Sequence, residues 1–112
     1  MAPHTNLIAL STADKYVVVS ISDIICCTAE GSYVRLTLRE EGDLVLSKGL
    51  SKLESFLPAD LFVRIHNKTL VNILHVRQVL KGEGGAVLLS NGAKVNLAER
   101  RRKVLMERLR VF

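Results

Sequence analysis

Asn67 and Lys68 stand side by side in a polar interruption, His66-Asn67-Lys68, between two β-forming runs, Phe62-Val63-Arg64-Ile65 and Thr69-Leu70-Val71. An asparagine amide can make a bidentate contact with adenine, and an ammonium group can neutralise a phosphate. Asn also tolerates left-handed turn geometry, so an ordinary exposed turn accounts for the same pair. His66, alone at a strand end, reads as a satisfied structural group. A second cationic feature lies near the end of the chain. Residues 99–110 hold Arg100, Arg101, Arg102, Lys103, Arg108 and Arg110 against Glu99 and Glu107, which is +4 of the net +5. The default for such a run is a solvated helix face. Its position argues otherwise, because cations in the first turns of a helix are disfavoured by about a few tenths of a kcal/mol each. A phosphate there would meet both the helix N-terminus and the guanidinium groups. Weaker candidates are Ser32 in the tip Glu30-Gly31-Ser32-Tyr33, Lys48 beside Gly49, and Lys94. For each, an exposed turn residue is the alternative.

Catalytic patterns find little support. The chain has no H-E-x-x-H, C-x-x-C, P-loop or G-x-G-x-x-G. Cys26 and Cys27 with His4, His66 and His75 can be assembled into a zinc site on paper, but their spacing fits no common zinc pattern. Nothing local would depress a thiol pKa and make a nucleophile. The Glu40-Glu41 carboxylates fall in a hairpin turn. The expectation is a non-enzyme with no cofactor and no metal.

These residues must be positioned by a single domain, since 112 residues supply one core and are too few for two. A hydrophobic fraction of 48% and a charged fraction of 24% argue against disorder. No apolar run approaches the ~20 residues of a membrane helix. Met1-Ala2-Pro3-His4-Thr5-Asn6 lacks a signal-peptide layout, so a cytoplasmic location is expected. The adjacent cysteines are read as reduced structural thiols, one entering the core and one not, because neighbouring strand residues face opposite ways.

The pattern is strand-dominated. Tyr16-Val17-Val18-Val19 and Asp23-Ile24-Ile25-Cys26-Cys27 are β-forming runs, and Gly31 supplies freedom for a turn. From Tyr33 to Arg39 apolar and polar residues alternate, and Glu40-Glu41-Gly42-Asp43 turns the chain into Leu44-Val45-Leu46 as a hairpin. Leu50, Leu53 and Leu57 follow helical spacing with Phe56 alongside, started at Ser47 or Gly49 and stopped by Pro58. This stripe reads as core. Further strands are expected near 62–66, 69–73, 76–80, 86–90 and 93–97, with Gly82-Glu83-Gly84-Gly85 and Asn91-Gly92 as turns, the latter of type I′. On the strand near 62–66, Val63 and Ile65 face the core while Arg64 and His66 occupy a free face. From Ala98 the period becomes helical, with Leu97, Val104, Leu105 and Leu109 on one side.

Taken in order, Asp23-Ile24-Ile25, Ala29-Glu30-Gly31-Ser32-Tyr33-Val34, Leu50-Ser51-Lys52-Leu53-Glu54, Leu57-Pro58, Phe62-Val63-Arg64-Ile65-His66-Asn67 and Val71-Asn72-Ile73 resemble a LytTR DNA-binding domain. The resemblance runs from about Ile8 to Leu109, giving residues 1–7 as an N-terminal extension and 8–112 as the domain. It implies a mainly β fold: an elongated antiparallel arrangement of several small sheets, one short internal helix and a C-terminal helical segment. It also implies a bacterial transcription regulator that inserts loops into successive major grooves of double-stranded DNA, at paired direct repeats, with two copies on the site and the DNA bent. Phosphate contacts would give a steep salt dependence, and bending would add indirect readout.

Three family positions carry most base contact. The first matches Ser32, where members often have Asn or His, and the second matches Asn67. The third, usually Arg after Ser, falls here on Ala98-Glu99. Either Arg100 takes that role one place along, or base preference differs; Glu99 could at most accept from cytosine N4. The expected base contacts are therefore Ser32, Asn67 and Arg100, and the expected backbone contacts are Lys48, Lys68, Arg101 and Arg102. Family members carry the domain after a response-regulator receiver or a sensory domain, neither of which fits within this chain. It is thus expected to be a stand-alone regulator or a part of something longer. The alternative from another class is a protein–protein adaptor that lays the same basic patch on an acidic partner.

Overall fold

The computed structural model describes residues 6–82 and 84–112. The first five residues, with His4 and most of the expected extension, and Glu83 of the expected glycine-rich turn lie outside the described residues.

Among the described residues, three antiparallel sheets and two α-helices make up the fold. Strands β1 (Leu7–Ser11) and β2 (Tyr16–Ser20) form a hairpin closed around Thr12, whose hydroxyl and amide both contact the Lys15 carbonyl. Sequence patterning missed β1: it begins at Leu7, within the segment read as an extension, and only Ile8 and Leu10 mark its buried face. A short 3₁₀ turn leads into β3 (Ile24–Glu30), which pairs with β4 (Tyr33–Leu38). After β5 (Leu44–Leu46) comes helix α1 (Leu50–Phe56), with Gly49 at its N-cap. Strands β6 (Phe62–His66) and β7 (Thr69–Asn72) complete a five-stranded sheet in the order β5-β4-β3-β7-β6. Strands β8 (Val76–Leu80), β9 (Ala86–Leu89) and β10 (Lys94–Asn96) form the third sheet, and α2 (Glu99–Leu109) ends the chain.

The five-stranded sheet is covered on both faces. On one side the β1–β2 hairpin and α1 bury Ile8, Leu10, Leu50, Leu53 and Leu57 against Ile24, Cys27 and Leu36. On the other, β9 and α2 bury Val87, Leu89 and Leu105 against Ile25, Cys26, Val63 and Ile65. This corrects the expectation for the cysteines. Both are buried, Cys27 in the first core and Cys26 in the second, because the strand between them has no solvent face. A register shift between Ile24 and Cys26 lets Ile25 and Cys26 share one side, which simple alternation forbids. Burial pushes both thiols above their ordinary pKa, so neither is a poised nucleophile.

Two further expectations change. The Asn91-Gly92 turn is not type I′, since Gly92 has φ +87° and Asn91 is not in the positive-φ region. Gly92 N donates to Leu89 O and Leu89 N to Ala93 O, giving a longer loop with glycine in the left-handed position. Ser90 is drawn into that loop by His75, whose carbonyl accepts from Ser90 N (2.8 Å) and whose Nδ1 lies 2.6 Å from Ser90 Oγ. Phe56, grouped with the core stripe of α1, is 70% exposed.

Candidate nucleic-acid interface

Four chain segments emerge at one end of the five-stranded sheet. Strand β3 leaves the sheet at Glu30, and Gly31, with φ +63°, reverses the chain so that Ser32 is exposed at the tip. Thr28 pairs with Thr69, and Ala29 N donates to Lys68 O at 2.8 Å, so the β6–β7 turn with Asn67 and Lys68 lies beside the Ser32 turn. Leu46 stands opposite Val34, which brings the exit of β5 and exposed Lys48 to the same end. The fourth segment is the start of α2. Ala98 N donates to Ile65 O at 2.8 Å, a carbonyl released by the register shift between Arg64 and His66.

That anchor sets the arginines of α2. Arg100 Nη2 donates to Asn67 Oδ1 at 3.0 Å, joining two residues the sequence proposed separately as base readers. Arg101 points instead along the open edge of β6, into a cleft shared with Glu54, Arg64 and Arg108; its Nε is buried without a hydrogen-bond partner among the described residues. Arg102 turns toward the β8–β9 connection, donating to Leu80 O at 3.3 Å and lying 3.7 Å from Glu99. The Arg102 guanidinium packs directly over Gly85, so a methyl group at that position would displace it. Ser32, Lys48, Asn67, Lys68 and Arg100 are thus brought together, while Arg101 and Arg102 face other surroundings. Glu99 is exposed and directed at Arg102, so it leaves the Asn67 side of the helix to Arg100.

Arg64 corrects the expectation of a free polar face on β6. Its side chain is only 13% exposed, because α1 covers it. Nε donates to Glu54 at 3.0 Å, Nη2 to Ser51 Oγ at 3.1 Å, and Nη1 to the Asn67 carbonyl at 2.7 Å. It is a brace from α1 to the backbone of the β6–β7 turn. The signal available in the sequence was Ser51 and Glu54 at i and i+3 of a helix, one polar line facing the strand. His66 Nδ1 accepts from Lys68 N at 3.2 Å and so closes the turn as a structural group.

The acidic residue beside the Ser32 turn is paired. Glu30 and Arg35 form an ion pair at 2.8 Å, and Arg35 reaches Asp43 at 3.5 Å. The hydrogen bond from Arg35 lowers the Glu30 carboxyl below its ordinary value, and the same bond raises Arg35. Among the described residues, no three His, Cys, Asp or Glu side chains converge as metal ligands would, and no helix is long and apolar enough to cross a membrane.

The turns of this antiparallel β domain gather amides and cations at one end, a surface chemically suited to a polyanion. The family model for the LytTr DNA-binding domain matches residues 14–110, and the chain belongs to that family, a DNA-binding and not a catalytic one. Among solved structures, the fold is similar to the LytTr DNA-binding domain of a Bacillus cereus protein described as a methyl-accepting/DNA response regulator. That match has a TM-score of 0.79 at 21% identity and covers 95% of this chain and 98% of the other. A search of curated proteins finds no significant match.

Proposed function

We propose that this DNA-binding domain recognises specific double-stranded sequences through its loops, lodged in the major groove, as part of a transcription regulator acting in the cytoplasm. Ser32, Asn67 and Arg100 read base edges. Lys48 and Lys68 fix the phosphate backbone, and Arg101 adds to the positive field from the β6 edge. Arg102 joins them only by leaving the Leu80 carbonyl. The observation that carries this reading is the hydrogen bond between Arg100 and Asn67. It ties the first turn of α2 to the β6–β7 turn, so an amide and a guanidinium approach one groove as a unit. Arg100 then fills the third base-reading role in place of Glu99. Two copies on paired direct repeats, with an upstream receiver or sensory domain supplying the signal, complete the proposal.

The test is selection of bound fragments from a genomic library, followed by mobility shifts with and without the enriched element. Fragments sharing an element repeated at about one helical turn, ~10 bp, support the reading. Retention without a shared element overturns base reading and leaves electrostatic binding alone. Failure to retain DNA even at low salt overturns the proposal in favour of an adaptor for an acidic protein.

A further inference from the structure

The β1–β2 hairpin does not close fully on α1. Between them lies a cavity of about 220 Å³, lined mainly by apolar side chains and walled by Leu10, Leu46 and Leu53. Tyr16 and Phe56 stand at its edge and are 74% and 70% exposed, an unusual outlay of aromatic surface for two residues so near a core. Lys48 and Lys52 also line it, no lining residue is acidic, and neither lysine forms an ion pair among the described residues.

We infer that this cavity binds a small amphipathic carboxylate, an aromatic or branched acid whose apolar part enters between hairpin and helix while its carboxylate meets Lys48 and Lys52. Size selects the class. A dry cavity of ~150 Å³ accommodates benzene, so the larger volume here seats one ring with a short acidic chain. Charge selects the end group, because two uncompensated ammonium ions beside an apolar wall favour an anion over its neutral analogue. A consequence follows that rests on the DNA reading above. Lys48 belongs to both surfaces, so an occupied cavity withdraws a cation from the phosphate backbone and lowers DNA affinity.

The experiment is an amide-resolved NMR titration of the whole chain with 3-phenylpropionate, with 3-phenylpropanamide and acetate in parallel. Saturable shifts confined to Leu10, Leu46, Leu53 and Phe56, at least tenfold weaker for the amide and absent for acetate, are expected. The Lys48→Gln, Lys52→Gln double variant, altered only at exposed positions, should lose that tenfold preference for the acid while keeping its folded spectrum. Equal affinity for acid and amide, or no saturable shift, overturns the inference. So do shifts at these residues that follow protein concentration without any probe, since a second copy would then fill the cavity. Mobility shifts with saturating probe test the coupling separately. Severalfold weaker DNA binding supports it, and unchanged binding overturns the role of Lys48 at phosphate while leaving the cavity site intact.

Discussion

Asn67 precedes strand β7 and Asn72 ends it, five positions apart, and the two serve opposite ends of the molecule. Asn72 is fully buried. Its Nδ2 donates to Ile24 O at 3.0 Å and Ile21 O at 3.4 Å, and its Oδ1 accepts from Leu74 N at 2.9 Å, so the amide is consumed by backbone. Beside it His75 is likewise saturated, lying 2.6 Å from both Ser22 O and Ser90 Oγ. Asn67 is exposed, its Oδ1 is engaged by Arg100, and its Nδ2 has no protein partner among the described residues. One end spends its polar groups on holding the three sheets together. The other keeps donors in reserve, which is the condition for recognition by an outside partner.

The largest effect that would break this contrast comes from the buried end. Asn72→Ala removes three hydrogen bonds and leaves the Leu74 amide and the Ile24 carbonyl without that partner, so it should destabilise the domain by about 3 kcal/mol in urea unfolding. DNA affinity measured where the variant is still folded should be unchanged. A stability loss below about 1 kcal/mol would show that the amide is not structurally committed. Asn67→Ala should behave inversely, with stability within about 0.5 kcal/mol of the parent. Its specific DNA affinity should fall by roughly 1–3 kcal/mol while non-specific binding persists. Equal losses on both kinds of DNA would remove Asn67 from the base readers.

The contrast was only half visible in the sequence. Alternation and turn residues located the hairpins after β2, and the cation run at 100–103 marked the start of α2, because these signals are local. Nothing local separates Asn67 from Asn72. The carbonyls that the latter donates to lie 48 and 51 residues away, across a junction made only by folding. The burial of both cysteines was hidden for the same reason: a covering layer on each face of β3 comes from distant elements, and the register shift at Ile25 breaks the two-residue period that reading relies on. Arg64 looked like a free cation, since the helix that covers it precedes it by a loop and contributes an acceptor ten residues away.

Lys68 sharpens the picture of the open end with a smaller effect. It neighbours Asn67 but among the described residues is held only through its backbone, N to His66 and O to Ala29, and its ammonium has no partner there. Lys68→Ala should weaken all DNA sequences alike and reduce the slope of log affinity against log salt by about one. An unchanged slope would place the ammonium away from the backbone.

The smallest effect concerns the carboxylate beside the Ser32 turn and carries a pH signature. Glu30 lies at the base of the Ser32 turn, where its charge would repel phosphate were Arg35 not bonded to it. Above the ordinary carboxylate value both partners are charged and the pair contributes in full. As pH falls through the lowered Glu30 value, the carboxyl protonates and that contribution to stability is lost, in a window below 4.5. Both side chains are well exposed, so the stability change is slight, and DNA binding is the more sensitive readout. Arg35→Ala should return the Glu30 carboxyl titration upward in NMR and weaken DNA binding severalfold at neutral pH. Restoration by Glu30→Gln in the same variant identifies an exposed carboxylate as the cause. Failure to restore binding would instead make Arg35 a phosphate contact in its own right, extending the open end along β4.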